Sequence, residues 1–211
     1  MPFQSKDTQA HNETAIEGLE VKLPPPELKG HVTLEQTLAI RRSIRSFADC
    51  SLSWEQISQL LWAAQGITDE PTGFRTAPSA GALRPMEIHF ATETGTYHYM
   101  PVGHEVEHSS TADKRAELAR AAVGQPWVQE AAIDIVVAAT YQKAAAVYGE
   151  RARRLIDLEA GHIAQNLHLQ AVALGLGSVP IGAFNRDEVH KILSLPKEQE
   201  PIYIISVGYP A

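Results

Sequence analysis

The segment from Glu150 to Leu174 constrains the fold more than any other. Leu155, Ile163, Leu167, Ala171 and Leu174 recur there at helical spacing as one inner stripe, and Gly175 stops the pattern. A helix with a single apolar stripe needs another layer to cover it. Several segments can supply that layer. Ile133 to Ala139 is an apolar run containing Val136-Val137, the mark of a buried strand, and Ile202 to Val207 is a second. Glu87 to Ala91 and Thr96 to Met100 alternate about Glu93-Thr94-Gly95, which predicts a hairpin.

Further helices announce themselves by their caps. Thr33 with Gln36 predicts a helix from Leu34 to about Arg42, and Ser53 with Gln56 predicts one carrying Ile57, Leu60, Leu61 and Ala64 and ended by Gly66. Ala112 to Ala122 reads as a short helix. Asn185 with Glu188 caps another, with Pro196 beyond its end. Strands and helices do not alternate as a doubly wound sheet requires, so an α+β fold follows, a mixed sheet flanked by helices. The 211 residues, 44% hydrophobic, suit one core. Residues 1–22 read as a disordered or extended tail, and 23–211 as a single domain entered through the extended Leu23-Pro24-Pro25-Pro26 arm.

Several classes are disfavoured. A net charge of −7 argues against a nucleic-acid partner. No apolar run reaches the roughly 18–20 residues of a membrane span. Met1 to Glu20 is polar and lacks the apolar core of a signal peptide, so a cytoplasmic location is expected. The one cysteine, Cys50, forms no intrachain disulfide and fits a reducing compartment. Glu159-Ala160-Gly161-His162 has the spacing of a carboxylate di-iron helix but no second copy. His98, His104 and His108 fall in hairpin and loop with no cysteine beside them, so no metal is expected. No Gly-x-Ser-x-Gly turn anchors a hydrolase triad.

Ligand chemistry concentrates in loops. Arg41, Arg42 and Arg45, with Ser43 between them, are either cations complementing a helix C-terminus or an anion clamp. Between a helical and a strand pattern, Arg75 to Pro85 is built of small residues and would let backbone approach a flat ligand. In Gly175 to Phe184, capping explains Gly175 but not Gly177 or Gly182. The context is wrong for a Rossmann turn, which leaves a turn offering backbone N–H groups. Gln125-Pro126-Trp127 is either an ordinary turn with a core tryptophan or a site where Gln125 donates to a cofactor.

With those segments in place, the chain resembles the FMN-dependent nitroreductase family over about Leu23 to Ala211, and most of all its azoline-oxidase-type branch, the dehydrogenases that form thiazoles and oxazoles. The resemblance is carried by Arg41 to Phe47, Leu60 to Ile67, Ala77 to Leu83, Leu158 to Leu167 and Gly175 to Phe184, in that order. It implies an intertwined homodimer with FMN in each interface and a small-molecule substrate. Arg41, Arg42, Ser43 and Arg45 would hold the phosphate and ribityl, with Arg45 also near the N1/O2 edge. Pro78, Ser79, Ala80, Gly81 and Ala82 would come from the second subunit against the isoalloxazine. Gln125 would be a polar flavin contact, and the backbone of Pro180, Ile181, Gly182 and Ala183 would face N5 and O4. The implied activity is ping-pong oxidoreduction through flavin N5, with NAD(P)H as a candidate donor and no catalytic side chain. The alternatives are a flavin-binding protein without turnover and the azoline dehydrogenase subunit of a peptide-tailoring complex. Many nitroreductases carry asparagine where Ala82 stands, lysine where Val128 stands, and a basic residue after the last strand. The azoline branch often carries an adjacent Lys-Tyr pair, and here Lys143 and Tyr148 are apart.

Overall fold

The computed structural model describes residues 18–211; the first 17 residues of the predicted tail lie outside that range. The chain opens with a short strand β1 (Glu20–Lys22), followed by the proline arm and α1 (Leu34–Ile40). Next come α2 (Trp54–Gln65), the small hairpin β2 (Ile67–Asp69) and β3 (Phe74–Arg75), and a 3-10 turn at Ala80–Ala82. Three strands follow, β4 (Met86–Thr92), β5 (Gly95–Met100) and β6 (Glu105–Ser110), then α3 (Arg115–Ala121) and α4 (Pro126–Glu130). The last part holds β7 (Ile133–Thr140), α5 (Tyr141–Tyr148), α6 (Ala152–Ala173), β8 (Gly177–Ile181), α7 (Arg186–Ile192) and β9 (Gln199–Gly208).

Among the described residues, seven strands form one sheet in the order β1-β6-β5-β4-β7-β9-β8. Its pairings are all antiparallel, and the parallel element is an isolated bridge from Ser43 to Ser178. β7 is buried along its whole length, because side chains alternate between two covered faces. Ile133, Ile135 and Val137 point to one face and pack with Leu60 and Leu61 of α2 and Ile163 and Leu167 of α6. Val136 and Ala138 point to the other and pack with Leu118 of α3, Val128 of α4 and Val189 of α7. The α+β class with helices about a large sheet is therefore the one the sequence predicts.

Both capping boxes form: Thr33 and Ser53 each accept the N–H of the residue three on, and the glutamine there reaches back. The predicted hairpin is β4–β5, and Asn185 caps α7. Several elements lie outside the predicted set, the hairpin β2–β3 and α4 among them. β1 and β6 pair at one border of the sheet with mostly polar sequence, Glu20–Lys22 and Glu105–Ser110, too weakly alternating to read as strands. α5 has no side-chain cap, and Gly149 at φ 55° separates it from α6, so the predicted helix over 150–174 begins slightly later. β8 carries a glycine and a proline and reads as a turn; Pro180 is tolerated because β8 is the sheet's other border.

Candidate functional site

Helix α1 ends at Ile40, and Arg41 is already extended at φ −50°, ψ 127°. No basic residue falls in the last helical turn, so the three arginines do not chiefly serve the helix dipole. Arg42 alone folds back, its Nη1 donating to the carbonyls of Ala39 at 3.2 Å and Arg41 at 2.7 Å. The turn is stitched to β8. Ser43 bridges to Ser178, and the Ile44 N–H donates to the Ser178 carbonyl at 3.0 Å. A Cβ on Gly177 would lie 2.8 Å from Ile44 Cβ, so a bare backbone is what lets the turn close on the strand. Further along, Ala48 N–H donates to Tyr209 O at 2.9 Å.

The Arg45 guanidinium stands 5.7 Å from the centre of the Trp127 ring, a cation–π contact that orients it. Trp127 is placed by α4, which starts with Gln125 at its N-cap and Pro126 at its first position. Both amide hydrogens of Gln125 are engaged inside the chain, with Ala122 O at 2.7 Å and Ala183 O at 3.3 Å. Its side-chain oxygen is the group left to face a ligand, an acceptor rather than the expected donor. Pro180 and Ile181 end β8; Gly182 and Ala183 follow it and are exposed, and a Cβ on Gly182 would meet only Tyr203 at 3.9 Å. Arginine turn, Gln125 and glycine segment thus converge within one chain. Among the described residues none of Arg41, Arg42 and Arg45 pairs with a carboxylate, which makes the turn an uncompensated cationic surface.

Behind it lies a group sequence reasoning passed over. His168 of α6 is buried, and its Nδ1 is 2.6 Å from Ser178 Oγ. Burial first, then the charge of Arg41, lowers its pKa to about 4, so the imidazole is neutral near pH 7. Its position was legible: His168 is four residues from Ala164, within the inner face of α6.

The loop Pro78 to Ala82 lies elsewhere. Among the described residues no hydrogen bond or ion pair joins it to Arg41–Arg45. Gly81, Ala82 and Arg84 take left-handed φ values of 59°, 52° and 49°. For the two non-glycine residues that conformation costs on the order of 1 kcal/mol each. Gly81 is required where it stands, since a Cβ would come 2.6 Å from the Tyr148 hydroxyl. Ser79 Oγ closes the loop by accepting the Arg84 N–H at 2.9 Å. Under the loop sits Glu159, 3% exposed, with Oε1 unpartnered. Burial raises its pKa to about 7, partly opposed by the Ser79 hydroxyl. Among the described residues no cluster of three or more His, Cys, Asp or Glu forms a metal site, and no helix is long and apolar enough to cross a membrane.

The span that holds these segments matches known proteins. The family model described as the nitroreductase family matches residues 38–209. The nitroreductase-designated protein MJ1384 of Methanocaldococcus jannaschii is 38% identical over 196 residues, 90% of this chain and 96% of its own. The FMN reductase [NAD(P)H] of Bacillus subtilis is 27% identical over 83% of this chain and 65% of its own length. Among solved structures, a nitroreductase-designated protein of Ralstonia eutropha superposes with a TM-score of 0.83 at 32% identity, over 91% of this chain and 90% of that one. The Vibrio harveyi NADPH:FMN oxidoreductase complexed with NAD+ superposes at 0.63 and 25% identity, over 84% and 68%. With the match spanning the arginine turn, the small-residue loop and the glycine segment alike, this chain belongs to the nitroreductase family.

Proposed function

We propose that the protein is an FMN-dependent oxidoreductase that passes electrons to or from a small organic substrate, its sites built by two copies of the chain. The observation that carries this reading is the arginine turn, three cations without carboxylate partners held against bare backbone by Ser178. That arrangement fits a phosphorylated ligand. Bound FMN supplies two-electron chemistry at its N5. Arg41, Arg42 and Ser43 would hold its phosphate and ribityl. Arg45, steadied by Trp127, would stabilise negative charge on the reduced ring. The open backbone at Pro180 to Ala183 would offer N–H groups to the ring's reactive edge, and the Gln125 oxygen, its amide hydrogens already engaged, would accept from the ligand. Pro78 to Ala82 of the second copy cover the ring, and their strained, preset shape supports a binding role. Leu34, Leu38 and Ile40 of α1 and Leu158 of α6 are more than half exposed, an apolar surface that suits a second copy. The named relatives support NAD(P)H as donor, and donor and acceptor would take turns in one pocket.

Release and identification of bound chromophore, then anaerobic titration with NADH and NADPH, tests the reading. Colourless protein that stays colourless with added FMN overturns it. Arg45→Ala is expected to raise the FMN dissociation constant about tenfold, the scale of one charge-assisted hydrogen bond. An unchanged constant removes Arg45 from the site. A second reading, azoline dehydrogenation within a tailoring complex, is favoured by the Tyr148 hydroxyl over the loop. Lys143 does not join it, because its ammonium pairs with Glu87 at 3.1 Å. A partner protein that co-purifies and is required for turnover would select that reading.

A further inference from the structure

We propose that His168 is a further phosphate ligand: with Nδ1 fixed on Ser178, its Nε2–H donates to the phosphate monoester that the arginine turn holds. This rests on the flavin reading above. Three observations converge on it. Ser178 is the hub of the site, taking Ile44 N–H on its carbonyl, Ser43 as bridge partner and His168 on its hydroxyl, the last at 2.6 Å. A neutral imidazole has one hydrogen, and a serine hydroxyl that donates to Nδ1 leaves that hydrogen on Nε2. Among the described residues Nε2 makes no hydrogen bond, and although His168 is buried this atom is not among the fully sealed partnerless ones, which leaves its donor uncommitted.

The charge balance supports the assignment. Arg41 is near enough to His168 to disfavour its protonation. A neutral donor there adds a hydrogen bond to the clamp without another cation beside Arg41. An anion between them would offset the charge of Arg41 and accept the imidazole N–H, so the site gains most from the ring when a phosphate is present. His168 thus provides a donor from the helix behind the turn.

The test compares FMN with riboflavin, which differ only in the phosphate. His168→Asn keeps a group at the Nδ1 position for Ser178 and removes Nε2; His168→Gln places an amide near Nε2. His168→Asn is expected to weaken FMN binding about tenfold and leave riboflavin binding unchanged, while His168→Gln recovers part of the FMN affinity. Equal loss of both flavins, or none, overturns the proposal, because a purely structural role does not separate the two ligands. A second measurement needs no variant. In the unliganded wild type, inorganic phosphate is expected to shift the His168 Nε2 resonance at pH 7. Absence of a shift at saturating phosphate overturns the assignment even where the variants misfold. A wild type that binds neither flavin sinks the flavin reading, and the phosphate titration then decides His168 on its own.

Discussion

Glu159→Gln is expected to gain about 3 kcal/mol of stability relative to wild type between pH 4.5 and pH 8.5. The buried carboxyl has a folded pKa of about 7 against an ordinary value of 4.5. Between those values the unfolded chain releases a proton that the folded chain keeps, so Glu159 lowers wild-type stability as pH rises through that window. The shift of roughly 2.5 units at about 1.4 kcal/mol each sets the scale. Glutamine does not titrate, so the difference between the two proteins isolates this one group and cancels the others. At pH 4.5 the variant is expected to be the less stable, because an amide N–H₂ replaces a hydroxyl where Oε1 has no partner. Urea unfolding at the two pH values measures it. A pH-independent difference would mean that Glu159 ionises in the folded protein as it does in water.

Gly177→Val is expected to cost about 2–3 kcal/mol in stability, the range for forcing atoms into a filled site. It should also separate the arginine turn from β8. The new side chain would begin 2.8 Å from Ile44 Cβ and Cγ1, and the hydrogen bond from Ile44 N to Ser178 O allows the turn no retreat without breaking. Ile44→Gly in the same chain removes the colliding Cβ, Cγ1 and Cγ2, so the double variant should recover much of the steric loss, a strong departure from additivity. Thermal or urea unfolding of the four proteins reads the coupling. If Gly177→Val alone is as stable as wild type, then Gly177 is not where the turn is fastened.

The same two residues show how much of the site was legible. Gly177 stood out as a glycine that capping did not explain, but its reason, the flank of Ile44, lies more than 130 positions away and is not a local signal. Glu159 falls between Leu155 and Ile163 at steps of four, so the inner stripe of α6 contained a carboxylate in plain view. Reading it only as half of a metal spacing missed it. The exposed His162 three residues on confirms that the pair does not face one site. Capped helices, the β4–β5 hairpin and the buried strands β7 and β9 were readable because local chemistry specifies them. β1 and β8 were not, because a bordering strand owes its conformation to its neighbour more than to its own residues, and β6 was not because its polar sequence is held by pairing with β1 and β5. Gln125 read as a donor to a cofactor, yet its donors are committed to the carbonyls of Ala122 and Ala183, the second of which only the fold brings near.

The arginine turn hangs from β8 at the rim of the sheet, while β7 lies at its heart with partners on both sides and helices over both faces. Rim and heart should therefore open at different free energies. Amides of β8 and the turn are expected to exchange with solvent by local opening, whereas those of β7 wait for the whole molecule to melt. On the proposed reading, a flavin held at the rim would be shed and recaptured without hazarding the core.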